Sequence, residues 1–193
     1  MSKLIVACSY GTSNTKVAYT NNSGIPFIRT WPRGVSHIFV KLLLEDPTIA
    51  HETFRDKALN EVGFGLFHIP PGLQAIDVVT EFLSKLWAHV KPTLNIDENT
   101  PVAIVLTAPV LWSTRTRNEL YRAAMTGFGM GFQTQITMLT EAEAAAQSFF
   151  DTWQRTIKAG DCITICNCGG GTVVYTLLYD CHGLFPHHNA RWH

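Results

Sequence analysis

Apolar residues along this chain recur with two periods, and each change of period marks an element boundary. Leu4-Ile5-Val6-Ala7-Cys8 is a short apolar run, and Val17-Ala18-Tyr19 resumes a strand pattern after a Gly/Thr-rich interval. Residues 4–8 and 15–20 are therefore predicted to form a hairpin. Asn21-Asn22-Ser23-Gly24 is a turn signal, which makes Ile25–Thr30 a third strand. The pattern weakens from Trp31 to Leu73, where Pro32, Pro47, Pro70 and Pro71 interrupt it. Within that stretch Val35–Leu44 is apolar and strand-like, and His51–Asn60 suits a short helix.

From Asp77 the period lengthens. Val78, Val79, Phe82, Leu83, Leu86, Trp87 and Val90 fall at helical spacing, ending before Pro92. Val102–Leu106 is a buried strand, and Ser113 caps a helix over Arg115–Thr126 that ends at Gly127. Ile136–Leu139 is another strand, and Thr140 caps a helix running to about Lys158. Finally Ile163 and Ile165, then Val173, Tyr175 and Leu177, alternate on either side of Gly169-Gly170-Gly171-Thr172, a second hairpin. The succession predicts an α/β fold with a mixed β-sheet covered by helices.

The two hairpin turns carry the chemistry. Three consecutive glycines allow backbone N–H groups to converge on an anion with no Cβ in the way, and Thr172 adds a hydroxyl. Ser9-Tyr10-Gly11-Thr12-Ser13-Asn14-Thr15 repeats the idea at the N-terminus. Face to face, two such turns can grip a polyphosphate; singly, each is an ordinary Gly-rich hairpin. Neither is a P-loop or a Rossmann fingerprint, because Gly-x-x-x-x-Gly-Lys-Ser/Thr and a helix-opening Gly-x-Gly-x-x-Gly are both absent.

Composition narrows the function classes. The chain has 193 residues, 46% hydrophobic and 16% charged, enough for one or two domains with a real core. Formal net charge is zero, which gives no field to attract nucleic acid or an anionic membrane. No apolar run reaches membrane-spanning length and Leu4–Cys8 is too short for a secretory signal, so a cytoplasmic location is expected. Five cysteines without a signal sequence argue for reduced thiols. The even spacing of Cys162, Cys166 and Cys168 puts them on one strand face, expected to be buried as small hydrophobes. His182, His187, His188 and His193 lie near Cys181, but the spacings match no zinc pattern, and no metal ligand set is assigned.

Ordered motifs over residues 4–180 resemble the ATPase domain of the seventy-kilodalton heat-shock (DnaK-type) chaperones, within the actin-like ATPase superfamily. Ser9-Tyr10-Gly11-Thr12-Ser13 is similar to that family's first phosphate motif, Asp-Phe-Gly-Thr-Thr. Asn167-Cys168-Gly169-Gly170-Gly171-Thr172-Val173-Val174 is similar to its second, Asp-x-Gly-Gly-Gly-Thr-x-Asp. Thr107-Ala108-Pro109 with Arg117, and Glu141-Ala142-Glu143-Ala144-Ala145-Ala146, resemble the connecting Val-Pro-Ala and Glu-Pro-x-Ala-Ala-Ala segments.

The resemblance implies the ribonuclease H-like first lobe of an actin-like ATPase over residues 1–160, with 25–75 as its divergent peripheral part. Residues 161–180 would then open a second lobe that is incomplete, and 181–193 would be an irregular tail. It also implies ATP or ADP, with Mg2+ weakly held if at all, against Ser9, Gly11, Thr12, Ser13, Asn167, Gly169, Gly170, Gly171 and Thr172. Glu141 is implied as the catalytic position, orienting water or metal; as a first-turn helix carboxylate it also suits the macrodipole. Three carboxylates of the family pattern are replaced, by Ser9, Asn167 and Val174. The family's water-orienting lysine has no recognisable match, Lys41 and Lys57 lying in no motif. Hydrolysis is therefore expected to be weak or absent. The alternative is a truncated, non-catalytic chaperone-like interaction protein, meeting other proteins through an uncovered face of the second hairpin.

Overall fold

The computed structural model describes residues 3–11, 15–20, 27–30, 44, 72–129, 135–153, 162–168 and 173–179. Seven strands and three helices lie within them: β1 (Leu4–Tyr10), β2 (Thr15–Thr20), β3 (Phe27–Thr30), α1 (Ala75–Thr93), β4 (Val102–Ala108), α2 (Thr114–Gly127), β5 (Gln135–Thr140), α3 (Glu141–Trp153), β6 (Cys162–Cys168) and β7 (Val173–Tyr179). The expected strand at Val35–Leu44 and helix at His51–Asn60 fall outside the described residues, Leu44 excepted.

Five strands form one mixed sheet in the order β3-β2-β1-β4-β5, and β6 and β7 form a separate antiparallel pair. β1, β2 and β3 are antiparallel neighbours, whereas β1, β4 and β5 run parallel. Register aligns Cys8 with Leu106 and Leu106 with Met138, and one step further it aligns Ser9 with Thr107 and Thr107 with Leu139. Because strand side chains alternate, these two rows occupy opposite sheet faces.

The first row belongs to the core. Val6, Cys8, Tyr10, Val17, Ile104 and Leu106 are buried with Val79, Leu83 and Trp87 of α1 and Leu120 and Ala124 of α2. Tyr10 closes the row against Phe82, ring centroids 5.3 Å apart. That packing extends β1 two residues beyond the predicted end at Cys8, since a buried aromatic at Tyr10 rewards continued pairing to Thr15. Burial also pushes the Cys8 thiol up to about 12 and raises the Tyr10 phenol, with the Cys8 charge adding to it.

The helix ends follow local chemistry. Helix α1 begins at Ala75 rather than Asp77, because the Asp77 carboxylate reaches back to accept from the Gln74 backbone N–H at 2.8 Å. It runs through Pro92 into a left-handed Asn95 (φ 52°), where Ile96 N–H donates to the Lys91 carbonyl at 2.9 Å. Ser113 Oγ accepts from Thr116 N–H at 3.1 Å, as its capping role predicts. Arg117 folds back on the β4–α2 loop, donating from Nε to the Trp112 carbonyl at 3.0 Å.

Candidate functional site

The geometry of the candidate site follows from the parallel register. β1, β4 and β5 end side by side, which brings Ser9, Thr107 and Leu139 into one row and Ala108 beside Thr140. Gly11 follows β1 directly and Glu141 follows β5 directly. In open α/β sheets the carboxyl ends of parallel strands form the usual ligand crevice. Ser9, Gly11 and Glu141 are all half-buried at this edge.

Ser9 is a strand residue, not part of the turn, and it lies on the sheet face opposite Cys8. Its neighbour Thr107 was not singled out in the sequence as a site residue. Thr107 is 8% exposed, and its hydroxyl is buried with no hydrogen-bond partner among the described residues. A buried unpaired hydroxyl costs about 1–3 kcal/mol, so its position at a strand end beside Ser9 invites a bound polar group. The only sequence signal was a threonine closing an otherwise apolar strand; the register that sets it beside Ser9 is tertiary.

The two carboxylates in the first turn of α3 make different contacts. Thr140 and Glu143 form a reciprocal capping box: Thr140 N–H donates to Glu143 Oε2 at 2.6 Å, and Glu143 N–H donates to Thr140 Oγ1 at 3.1 Å. Glu143 thus serves the helix end. Glu141 instead accepts from the Asn167 side-chain amide, Nδ2 to Oε2 at 2.6 Å, across 26 residues of sequence. This bond joins the second hairpin to the carboxyl edge of the first sheet.

Along β6 the exposure alternates strictly. Ile163, Ile165 and Asn167 are half-buried, while Cys162, Thr164, Cys166 and Cys168 are exposed. The cysteines do share one face, as their spacing requires, but it is the outer one, and the expectation that they are buried is wrong. The two-stranded sheet has only one side to bury, and α3 packs on β6 through the Asn167 side. Asn167 pairs with Val174 and Cys168 with Val173, so Asn167 sits one residue from the end of the β6–β7 ladder.

The structure therefore brings Glu141 and Asn167 into contact and sets Ser9 and Gly11 at the same sheet edge. Thr12, Ser13, Gly169, Gly170, Gly171 and Thr172 lie outside the described residues. A hard divalent cation needs several oxygen ligands, preferably anionic. Among the described residues the donors here are one carboxylate already engaged by an amide, the Ser9 and Thr107 hydroxyls and the amide itself. That set does not fit a tight Mg2+ site, and no group of three His, Cys, Asp or Glu able to hold a metal occurs among the described residues.

No protein-family model and no curated protein matches the chain. Among solved structures, the chain is similar to MreB5 of Spiroplasma citri bound to ADP, with a TM-score of 0.52 and 11% sequence identity. The fold is that of an actin-like ATPase. The likeness covers 92% of this chain and 49% of MreB5, so this chain spans about half the length of that protein. At that identity the likeness shows the fold alone, and it does not single out the heat-shock chaperones. Among the described residues no helix is long and apolar enough to cross a membrane.

Proposed function

We propose that this chain binds the phosphates of an adenine nucleotide between its two hairpin turns, with little dependence on Mg2+ and little or no hydrolysis. The single observation that carries the reading is the Asn167–Glu141 bond. It ties β6, the strand that precedes the Gly-Gly-Gly-Thr segment in sequence, to the sheet edge at which β1 ends. In this reading the glycines of the two segments would supply backbone N–H donors, and the buried Thr107 hydroxyl, without a partner among the described residues, would add a polar atom at the same sheet edge. The ADP bound to MreB5, a protein of the same fold, agrees with this assignment. The resemblance to the heat-shock chaperones is the finer form of the proposal and rests on the sequence motifs alone.

Hydrolysis requires charge neutralisation of the phosphates and a positioned water. With Ser9, Asn167 and Val174 at the positions of three carboxylates, the anionic ligands for the first requirement are missing. Thermal unfolding with millimolar ATP or ADP tests the proposal, because a ligand that binds only the folded state raises stability by RT ln(1 + [L]/Kd). The expected result is stabilisation of similar size with and without Mg2+, and no product in a single-turnover assay. Absence of any shift at millimolar nucleotide would favour the non-catalytic interaction protein instead.

A further inference from the structure

The outer face of the second hairpin holds chemistry that nucleotide binding leaves unused. Cys166 and Cys168 are both exposed and unoxidised, with their sulfurs 3.5 Å apart. Tyr175 stands opposite Cys166 in the β6–β7 register and is 72% exposed, so solvent reaches this face. The paired ladder from Cys162↔Tyr179 to Cys168↔Val173 fixes the backbone under both thiols.

That backbone discriminates between two fates for the pair. Residues i and i+2 of a strand are separated by about 6.6 Å along the chain. A disulfide needs Cβ atoms roughly 3.5–4.5 Å apart, so direct oxidation would require β6 to buckle. Bridging through a third atom requires no such movement, because both sulfurs already lean toward one another and can open or close by rotation about χ1. Soft thiolates select soft ions. Zinc in a structural site takes four ligands, and among the described residues only two thiols converge here.

We propose that Cys166 and Cys168 form an exposed two-thiolate chelate for monovalent copper. Two S–H bonds break and two S–Cu bonds form. Both protons go to solvent, the metal keeps its oxidation state, and the product is a bis-thiolate carrying one negative charge. The chelate is independent of the nucleotide proposal, since the thiols and Asn167 face opposite sides of β6.

Anaerobic titration of the reduced chain with Cu(I), against a chromophoric Cu(I) chelator, tests the assignment. One Cu(I) per chain is expected, with sulfur-to-copper charge-transfer absorption in the near ultraviolet. C166S and C168S should each weaken binding by at least about 100-fold, beyond the roughly 10–100-fold typical of outer-shell changes. C162S and C181S should bind as the parent chain does. Parent-like binding by C166S or C168S would overturn the chelate. So would equal loss in C162S or C181S, or a stoichiometry of one metal per two chains.

Discussion

The Asn167 side-chain amide donates to Glu141 Oε2 across 2.6 Å, so an amide stands beside this carboxylate at the position where the heat-shock chaperone motif it resembles carries an aspartate. The pairing is favourable because an amide can donate where a second carboxylate could only repel. Asn167→Asp removes the donor and sets two like charges together. We expect it to lower stability by about 1–3 kcal/mol at neutral pH and low salt. Millimolar Mg2+ should recover part of the loss, since two adjacent carboxylates make a better site for a hard cation. Thermal melts with and without Mg2+ decide it, and an unchanged melting temperature in the metal-free variant would show that the bond carries no weight.

Restoring ligands need not restore turnover. Ser9→Asp with Asn167→Asp is expected to remain inactive in a single-turnover ATP assay, because the substitutions add metal ligands but no group that orients the attacking water. Measurable hydrolysis by the double variant would contradict this and make carboxylate loss the sole deficit.

Thr107→Val tests the orphaned hydroxyl beside Ser9. Removing an unpaired buried polar atom should leave the free chain as stable or stabilise it by about 1 kcal/mol. If nucleotide phosphate or its water uses that hydroxyl, the ATP-induced rise in melting temperature should shrink in the same variant. A large loss of stability without ligand would mean the hydroxyl is satisfied.

The Thr140–Glu143 capping box predicts a coupled pair. Thr140→Ala and Glu143→Ala should each cost about 1 kcal/mol, and the double variant less than their sum. A double-mutant cycle by chemical denaturation measures the coupling. Gly127 is a sharper packing test. A Cβ there would stand 2.7 Å from the Thr80 carbonyl oxygen and 3.0 Å from Leu83 Cβ, where α2 crosses α1. Gly127→Ala should therefore destabilise by about 1–3 kcal/mol despite alanine's better helix propensity.

Stability should also fall at alkaline pH through a buried thiol. Burial moves Cys8 from an ordinary 9.0 to about 12 in the folded chain. Between those values the unfolded chain releases a proton that the folded chain retains, so stability is full below about pH 9 and declines toward pH 12. Tyr10, also raised mainly by burial, acts in the same direction. Cys8→Ala should flatten this decline while lowering absolute stability through the cavity it leaves.

Most elements were legible in the amino-acid order because each has a local cause. Apolar runs and alternation gave the strands, helical spacing gave α1, and capping residues at Ser113 and Thr140 gave two helix starts within one residue. Among the boundaries that differed, those at Tyr10 and Ala75 were moved by contacts a linear pattern does not contain: the Tyr10–Phe82 stack and the Asp77 reach-back to Gln74.

By itself the sequence determined the α/β class and the hairpin pairing of β1 with β2 and of β6 with β7. Which face of β6 turns outward, that Glu141 meets Asn167 while Glu143 caps the helix, and that Thr107 stands beside Ser9 were decided by tertiary structure alone. The reason is physical. Periodicity says only that residues two apart share a face, whereas the choice of face and of partner depends on which strand or helix another part of the chain brings to lie against it.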